Sequence, residues 1–373
     1  MACNLLVALD DERYGASGLA RAHDAAARAG YTLRRTDGPD DRLAAWIDFA
    51  FPGSWWSSEA AAGSAWVAER DGAIAGFAAF GQRGLRFPWL KRWHARTDVG
   101  VFGPYGVGEP DRGRGIGEAL LNAALCGLRE SGYGFALIAA VAGARLIDLY
   151  VQRTGGTIVE EFGYETPRYR ATILASGAGT NARNVLEGIR AGKIALDVAA
   201  VIANDASAGA LAVGREYDVE AIALGWDRAQ VTRADYDAGV IEAVARAEPE
   251  LVLLLGWMHL LPAAFMERFA QTINLHPSYL PLDPLADDVV VPDGTVIPAL
   301  RGAHALRDAL RAEIAWTGAT VHYVTLQTDR GAVLVREPLA VGDATTEPVL
   351  RERVRPVEFR TVAAAIRRWT FER

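Results

Sequence analysis

Short apolar runs bounded by glycine or polar residues alternate along the chain with stretches in which apolar residues recur every three or four positions. Strands and helices are therefore expected in turn. In the first half, GASGLARAHDAAARAG (Gly15 to Gly30) predicts an alanine-rich helix ended by glycine. YTLRR follows as a strand and DDRLAAWIDFAF as a helix with an aspartate cap. SAWVAERDGAIAGFAAFG predicts a hairpin turning at Asp71-Gly72. TDVGVFGPYGVG predicts an irregular strand, and GIGEALLNAALCGLRESG a helix running to Gly132. YGFALIAA is a strand, and ARLIDLYVQRTGG a helix closed by Gly155-Gly156.

From Thr172 onward the apolar runs become nearly continuous. ATILAS leads into NARNVLEGIRAG and LDVAAVIAND into AGALAVGREY; ADYDAGVIEAVARA leads into ELVLLLGW and PAAFMERFA into QTINLHP. Such runs between amphipathic helices predict a mostly parallel sheet covered on both faces. The last stretch, EPVLRERVRPVEFRTVAAAIRRW, predicts a long helix that Pro356 must begin, break or kink. The change of character falls in the link FGYETPRYR, which sets a boundary at about Arg168 and two α/β domains, 1–168 and 169–373.

A chain of 373 residues exceeds one ordinary core, which agrees with two domains. A net charge of −7 and a pI near 5.5 argue against a tRNA or DNA partner. Cys3 and Cys126 form no CxxC, so a disulfide framework and a thiolate zinc site are not expected, and a reducing, cytoplasmic location is. MACNLLVALDDERYG has no basic start and is not read as a signal peptide. No run approaches the roughly 20 apolar residues a membrane span needs. The six histidines are spread too thinly for a metal motif, so no metal is expected.

One candidate site is the turn Arg112, Gly113, Arg114, Gly115, Ile116 and Gly117 in EPDRGRGIGEALL, an R-x-x-G-x-G between a strand and a helix. Glycines let backbone approach an anion, and the helix start offers free N–H groups; the same residues also suit a solvated turn. On this motif residues 30–165 resemble the GNAT acetyltransferases. The resemblance implies a mixed α/β domain whose turn holds the pyrophosphate of acetyl-CoA. It implies that Gly103 to Gly108 splays from its neighbour beside the pantetheine, and that Tyr150 acts as general acid for the leaving thiolate. Glu109 is the candidate base. Core packing of Tyr150 and plain solvation of Glu109 are the alternatives.

The other site gathers around TINLHPSYLP. Asn274 and His276 stand one residue apart, on one face of a strand that Pro277 stops. Asp329 starts the turn between two later strands, and Gly177, Gly179, Thr180 and Asn181 form a strand-to-helix loop that suits a phosphate or carboxylate. That loop lacks the G-x-G-x-x-G spacing of a dinucleotide site. An amide, an imidazole and a carboxylate can stabilise an oxyanion, and no paired nucleophile is evident, so direct attack by an amine is the simplest chemistry.

INLHPSYLP resembles the N-x-H-P-S-x-L-P signature of the folate-dependent formyltransferases, most closely the glycinamide ribonucleotide transformylases, over about residues 171–370. The resemblance implies a Rossmann-like domain and a catalytic trio Asn274, His276 and Asp329. It places the acceptor's phosphate on Gly177 to Asn181 and 10-formyltetrahydrofolate against Met258, His259, Leu260 and Leu261. Gly302, His304 and Glu358 then contact the acceptor. Three features depart from the pattern: an insert, LDPLADDVVVPDGTVIPAL, with a hairpin turn at Asp293-Gly294; Arg330 inside Asp329-Arg330-Gly331; and His259 in place of a basic arginine.

Together these expectations describe a bifunctional enzyme that transfers formyl and acetyl groups to amines of small molecules, with no nucleic-acid or membrane partner and with a homodimer left open. The insert, read as lying beside the acceptor pocket, and the added domain favour specialised metabolism. The alternative is purine synthesis on glycinamide ribonucleotide, with the first half an acyl-CoA sensor or dimerisation module.

Overall fold

A computed structural model describes residues 1–81, 87–163 and 167–373. Part of the expected link, residues 164–166, lies outside the described residues. The chain divides into two compact units. One holds Met1–Phe51, Trp56–Glu165 and Phe371–Arg373, and the other holds Pro52–Trp55 and Thr166–Thr370.

In the first unit the elements run β1 (Ala2–Ala8), α1 (Ala16–Arg28), β2 (Thr32–Asp37), α2 (Asp41–Ala50), α3 (Trp56–Ala61), β3 (Ser64–Arg70) and β4 (Ala73–Phe80). They continue with α4 (Pro88–Lys91), β5 (Val99–Val107), α5 (Ile116–Glu130), β6 (Phe135–Ala142), α6 (Ala144–Thr154) and β7 (Thr157–Phe162). The sheet order is β2-β3-β4-β5-β6-β1-β7, and only β5 and β6 pair in parallel. Asp71 and Gly72 both take left-handed φ (52° and 79°), as a two-residue hairpin turn requires.

Four elements of this unit were not expected, α3, α4, β7 and β1, and of these β1 fills the interior position between β6 and β7. Its first four residues are all buried, so its sequence shows no alternation between a wet and a dry face.

The decisive feature of this sheet is a divergence. β5 pairs with β4 from Phe102 to Val107, but with β6 only over Val99–Phe102. From Gly103 onward the β6 side of the strand has no ladder partner among the described residues, which leaves backbone groups free for a ligand.

The second unit contains β8 (Tyr169–Ala175), α7 (Thr180–Arg190), β9 (Leu196–Ala203), α8 (Gly209–Glu216), β10 (Glu220–Ala223), α9 (Arg233–Arg246), β11 (Leu251–Leu254), α10 (Ala263–Arg268) and β12 (Thr272–His276). There follow β13 (Asp288–Val290), β14 (Val296–Pro298), α11 (Ala305–Arg311), β15 (Trp316–Tyr323), β16 (Val333–Ala340) and α12 (Glu347–Phe371). The main sheet has the order β10-β9-β8-β11-β12-β15-β16: five parallel strands, then two antiparallel ones. The inserted β13–β14 ribbon stands as its own small sheet. Pro356 sits inside α12, which continues through it. Its missing N–H is outweighed by tertiary packing, since Leu350, Val354, Val357, Ile366 and Trp369 on the same helix are buried.

Among the described residues no helix is long and apolar enough to cross a membrane.

Candidate functional site

At the end of β12 the chain turns sharply, and the turn is fixed before any chemistry is considered. Tyr279 is fully buried with the Arg336 guanidinium over its ring, and Arg336 also donates to the Leu280 carbonyl at 2.7 Å. Thr320 donates its hydroxyl to the Ser278 carbonyl (2.7 Å) and accepts from the Leu280 N–H (3.0 Å). This stitching holds Asn274 and His276 on the strand opposite β15, where the antiparallel register sets Asn274 directly across from His322.

Asp329 comes to meet them from the loop between β15 and β16. Its backbone is left-handed (φ 53°), a conformation that aspartate tolerates better than most residues. Gly331 is obligatory two positions on, because a Cβ there would lie 1.6 Å from the Tyr323 carbonyl oxygen. The middle position, Arg330, carries no such restriction.

One Asp329 oxygen lies 3.4 Å from His276 Nδ1 and accepts the Gly302 N–H at 2.7 Å. The other lies 3.3 Å from both Asn274 Nδ2 and His322 Nε2. The three residues expected to act together are therefore one cluster. His322, weighed from the sequence only as a face of the sheet, is a fourth member; its signal was the alternation of TVHYV set against the register of β12.

The hydrogen bonds fix the tautomers. His322 Nδ1 donates to the Tyr323 carbonyl at 2.8 Å, so in the neutral ring Nε2 accepts from Asn274 Nδ2 at 3.3 Å. His276 Nε2 donates to the Leu300 carbonyl at 2.7 Å, which turns the Nδ1 lone pair of the neutral ring toward Asp329.

Burial pushes the His276 pKa down, and the opposing charge of Asp329 does not overcome it, so the ring is neutral at neutral pH. Burial alone would raise the Asp329 carboxyl. Its contacts with His322 Nε2, His276 Nδ1 and the Gly302 N–H hold it far below the usual carboxylate range, an effect the two rings exert in their protonated forms. His276 Nε2 is taken by the Leu300 carbonyl and Nδ1 faces Asp329, so no free ring N–H answers the expected oxyanion role, and the two Asn274 N–H groups face His322 Nε2 and Asp329 Oδ1.

The trio opens onto a cavity of about 550 Å³, in the middle of the roughly 300–1,000 Å³ range of ligand sites. The same cavity is lined by Gly177, Gly179, Thr180 and Asn181. It also reaches Met258, His259, Leu260 and Leu261, and then Gly302, His304 and Glu358. Gly179 is the left-handed start of α7 with no side-chain cap, so the first N–H groups of the helix remain available to an anion. Burial raises the Glu358 pKa, against a hydrogen bond from Asn181 at 3.0 Å. Asn181 Oδ1 and Trp257 Nε1 are buried without a hydrogen-bond partner among the described residues, as expected of groups that a ligand would satisfy.

His259 is held by Asn204 (3.0 Å) and the Tyr236 hydroxyl (2.9 Å), edge-on to Trp226 and Trp257. Burial and nearby arginines lower its pKa, so it does not replace the lost arginine charge. Arg351 and Arg355 also line the cavity. Sequence reading missed them, although 347, 351, 355 and 358 fall on one face of a helix.

None of residues 282–300 is among those lining the cavity, but the Leu300 carbonyl holds His276 at its edge, so the insert lies beside the cavity without forming its wall.

In the first unit, Gly113 (φ 77°) and Gly115 (φ 83°) are both left-handed, and Gly115 starts α5 with no side-chain cap. Arg112 and Arg114 are exposed beside this turn; Ile116 is buried and anchors it, and the backbone of Gly117 packs closely against Tyr105. Asp111, just ahead, is tied to the Tyr31 hydroxyl (2.7 Å) and to Arg70 (2.8 Å). Tyr150 on α6 lies against Phe102, where β5 leaves β6. Burial, and then nearby Tyr105, raise its pKa, so the phenol stays protonated. Glu109 is exposed, and its side chain has no hydrogen bond or ion pair among the described residues.

The formyl transferase family model matches residues 169–366. The chain belongs to the formyl transferase family. The acetyltransferase (GNAT) family model matches residues 27–155, so the chain is a fusion of the two; that match leaves out β1 and β7. The formyltransferase half is 32% identical over 198 residues to phosphoribosylglycinamide formyltransferase of Mycobacterium tuberculosis (strain CDC 1551 / Oshkosh), covering 53% of this chain and 83% of that protein. It is 30% identical over 190 residues to the protein of that name from Escherichia coli (strain K12), covering 50% and 80%. Glycinamide ribonucleotide transformylase 1 of Symbiobacterium toebii aligns at 31% identity with a TM-score of 0.49, covering 57% of this chain and 92% of that one.

Proposed function

We propose that this fusion is a bifunctional acyl-transfer enzyme. The formyltransferase unit moves a formyl group from 10-formyltetrahydrofolate to the amine of a small anionic metabolite, and the GNAT unit moves an acetyl group from acetyl-CoA to an amine. The observation that carries the reading is that one cavity joins the Asn274–His276–Asp329 cluster to an open helix start and to an apolar wall.

A pterin suits the lining. Met258, Leu260, Leu261, Met266, Val324 and Leu326 supply apolar contact, and the unpartnered Trp257 Nε1 supplies a donor. Bound there, the folate supplies the carbonyl carbon that the acceptor amine attacks. Asn274 Nδ2, by turning one of the N–H groups it gives to His322 and Asp329, donates to the oxygen that gains charge. The ionised Asp329 takes the proton shed by the attacking nitrogen, directly or through water, and the His276 Nδ1 lone pair 3.4 Å away can hold it until it returns to the leaving nitrogen. The start of α7, with Arg351 and Arg355, attracts the acceptor's anionic group.

In the GNAT unit, the N–H groups that follow Gly113 and Gly115 would hold a pyrophosphate, and the protonated Tyr150 would donate to the leaving thiolate.

A role in specialised metabolism, with one amine metabolite acylated twice, rests on the fusion itself. Glycinamide ribonucleotide as acceptor is the second reading, and the absence of insert residues from the cavity lining favours it. A panel of amines offered to the full chain with each cofactor, read by mass, tests both. Formylation of glycinamide ribonucleotide alone removes the specialised role. Binding of acetyl-CoA with no acetyl product makes the GNAT unit a sensor.

A further inference from the structure

The insert touches the catalytic cluster from behind. Its ribbon packs Val289 and Val291 on Tyr279, and Trp316 Nε1 donates to Asp293 at 2.8 Å. Both ends of the insert then converge on the Asp329 loop. At the entry end, Arg330 donates to the carbonyls of Pro284 (3.0 Å) and Leu285 (3.2 Å) and pairs with Asp287. At the exit end, the Leu300 carbonyl holds His276 Nε2, and the Gly302 N–H holds the Asp329 carboxylate. Between them Arg301 donates to the Ala286 carbonyl at 2.7 Å and to the Asp329 carbonyl at 3.2 Å, with Asp287 3.5 Å away. Two guanidinium groups thus share one carboxylate, and the backbone of Asp329 is gripped from its own chain neighbour and from across the insert.

We propose that Arg330 and Arg301, bridged by Asp287, are positioning residues that clamp the insert to the Asp329 loop and so set the Asp329 carboxylate and the His276 ring. Arg330, which departs from the sequence pattern by adding a charge where glycine is usual, is bound to insert backbone. The clamp rests on the formyl-transfer reading for its catalytic consequence, but its structural half can be tested apart from turnover.

The test compares the full-length wild type with Arg330→Ala, Arg330→Lys and a control on the exposed face of the ribbon, Val296→Ser, each first checked for a cooperative melt. Nitrogen-15 spectra of the histidine rings, with His276 assigned by its loss in His276→Gln, report its tautomer and titration without any acceptor. Formyl transfer to the best amine of the panel gives kcat and KM against pH.

The clamp predicts that Arg330→Ala mixes the His276 tautomers and moves the acid limb of kcat/KM to higher pH, because Asp329 loses support for its ionised form. It predicts that kcat falls on the order of 10²-fold, as small misplacements do. KM for the folate stays unchanged, Arg330→Lys recovers part of the loss, and Val296→Ser matches wild type. Wild-type ring spectra in folded Arg330→Ala overturn the clamp whether or not activity is found. A lower kcat with an unmoved acid limb and unmoved ring signals overturns it as well. Shifted ring signals in a protein that formylates nothing uphold the clamp and remove the formyl-transfer reading instead.

Discussion

The two sites of this chain are built in opposite ways. In the GNAT unit the candidate anion turn is six consecutive residues, Arg112 to Gly117, and what it offers is almost all backbone: two left-handed glycines and an uncapped helix start. In the formyltransferase unit the cluster draws Asn274 and His276 from β12, His322 from β15 and Asp329 from a loop, and its chemistry is almost all side chain. A backbone site is robust to side-chain change and sensitive to glycine replacement. A side-chain site is the reverse, and it depends on whatever holds its members in register.

The largest expected effect separates the two directly. Asp329→Ala and His276→Ala should each lower formyl transfer by on the order of 10³-fold or more, since both a charge partner and a proton acceptor are lost. Acetyl-CoA affinity, measured by calorimetry, should not change. An equal loss of both activities would mean that the two sites are not independent. Next, Tyr150→Phe should lower acetyl transfer about 10²-fold with an unchanged acetyl-CoA dissociation constant, because the phenol donates a proton and does not bind the pyrophosphate. A weakened dissociation constant with normal turnover would make Tyr150 a packing residue.

A smaller effect sharpens the backbone side. Gly115→Ala forces a side chain into φ 83°, at a cost of roughly 1–2 kcal/mol, and should weaken acetyl-CoA binding by about the tenfold that such an energy permits. The same substitution should leave formyl transfer alone.

The smallest effect is on stability. His276 is buried with its pKa below the ordinary 6.5. As pH falls through 6.5 the unfolded chain takes up a proton that the folded chain refuses, so stability declines with falling pH until the folded pKa is reached. His276→Gln should flatten that part of a melting-temperature profile between pH 7 and 5; an unchanged slope would mean the ring is not held neutral.

How much of this could be read in advance follows the same division. The turn at Asp71-Gly72, the ribbon turn at Asp293-Gly294 and the glycine-rich helix starts are local, and their residue types announce them. The signature INLHPSYLP carried the second site. β1 was missed because a short run buried on all sides has no alternation, and its partners β6 and β7 lie more than a hundred residues away. Arg330 was read only as a charge added where glycine is usual, because spacing does not show which backbone carbonyls a guanidinium will find. Arg351 and Arg355 were passed over because each pairs along the helix, with Glu347 and Glu352.

The central claim is that Asn274, His276 and Asp329 act as one unit on a formyl group carried by folate. The most direct measurement is a single-turnover assay of the full chain with isotope-labelled 10-formyltetrahydrofolate and its best amine, run beside Asp329→Ala at equal folate saturation. The account predicts labelled formyl-amine in the wild type and, in the variant, bound folate with no transfer on the same timescale. Transfer at the wild-type rate in folded Asp329→Ala would contradict it.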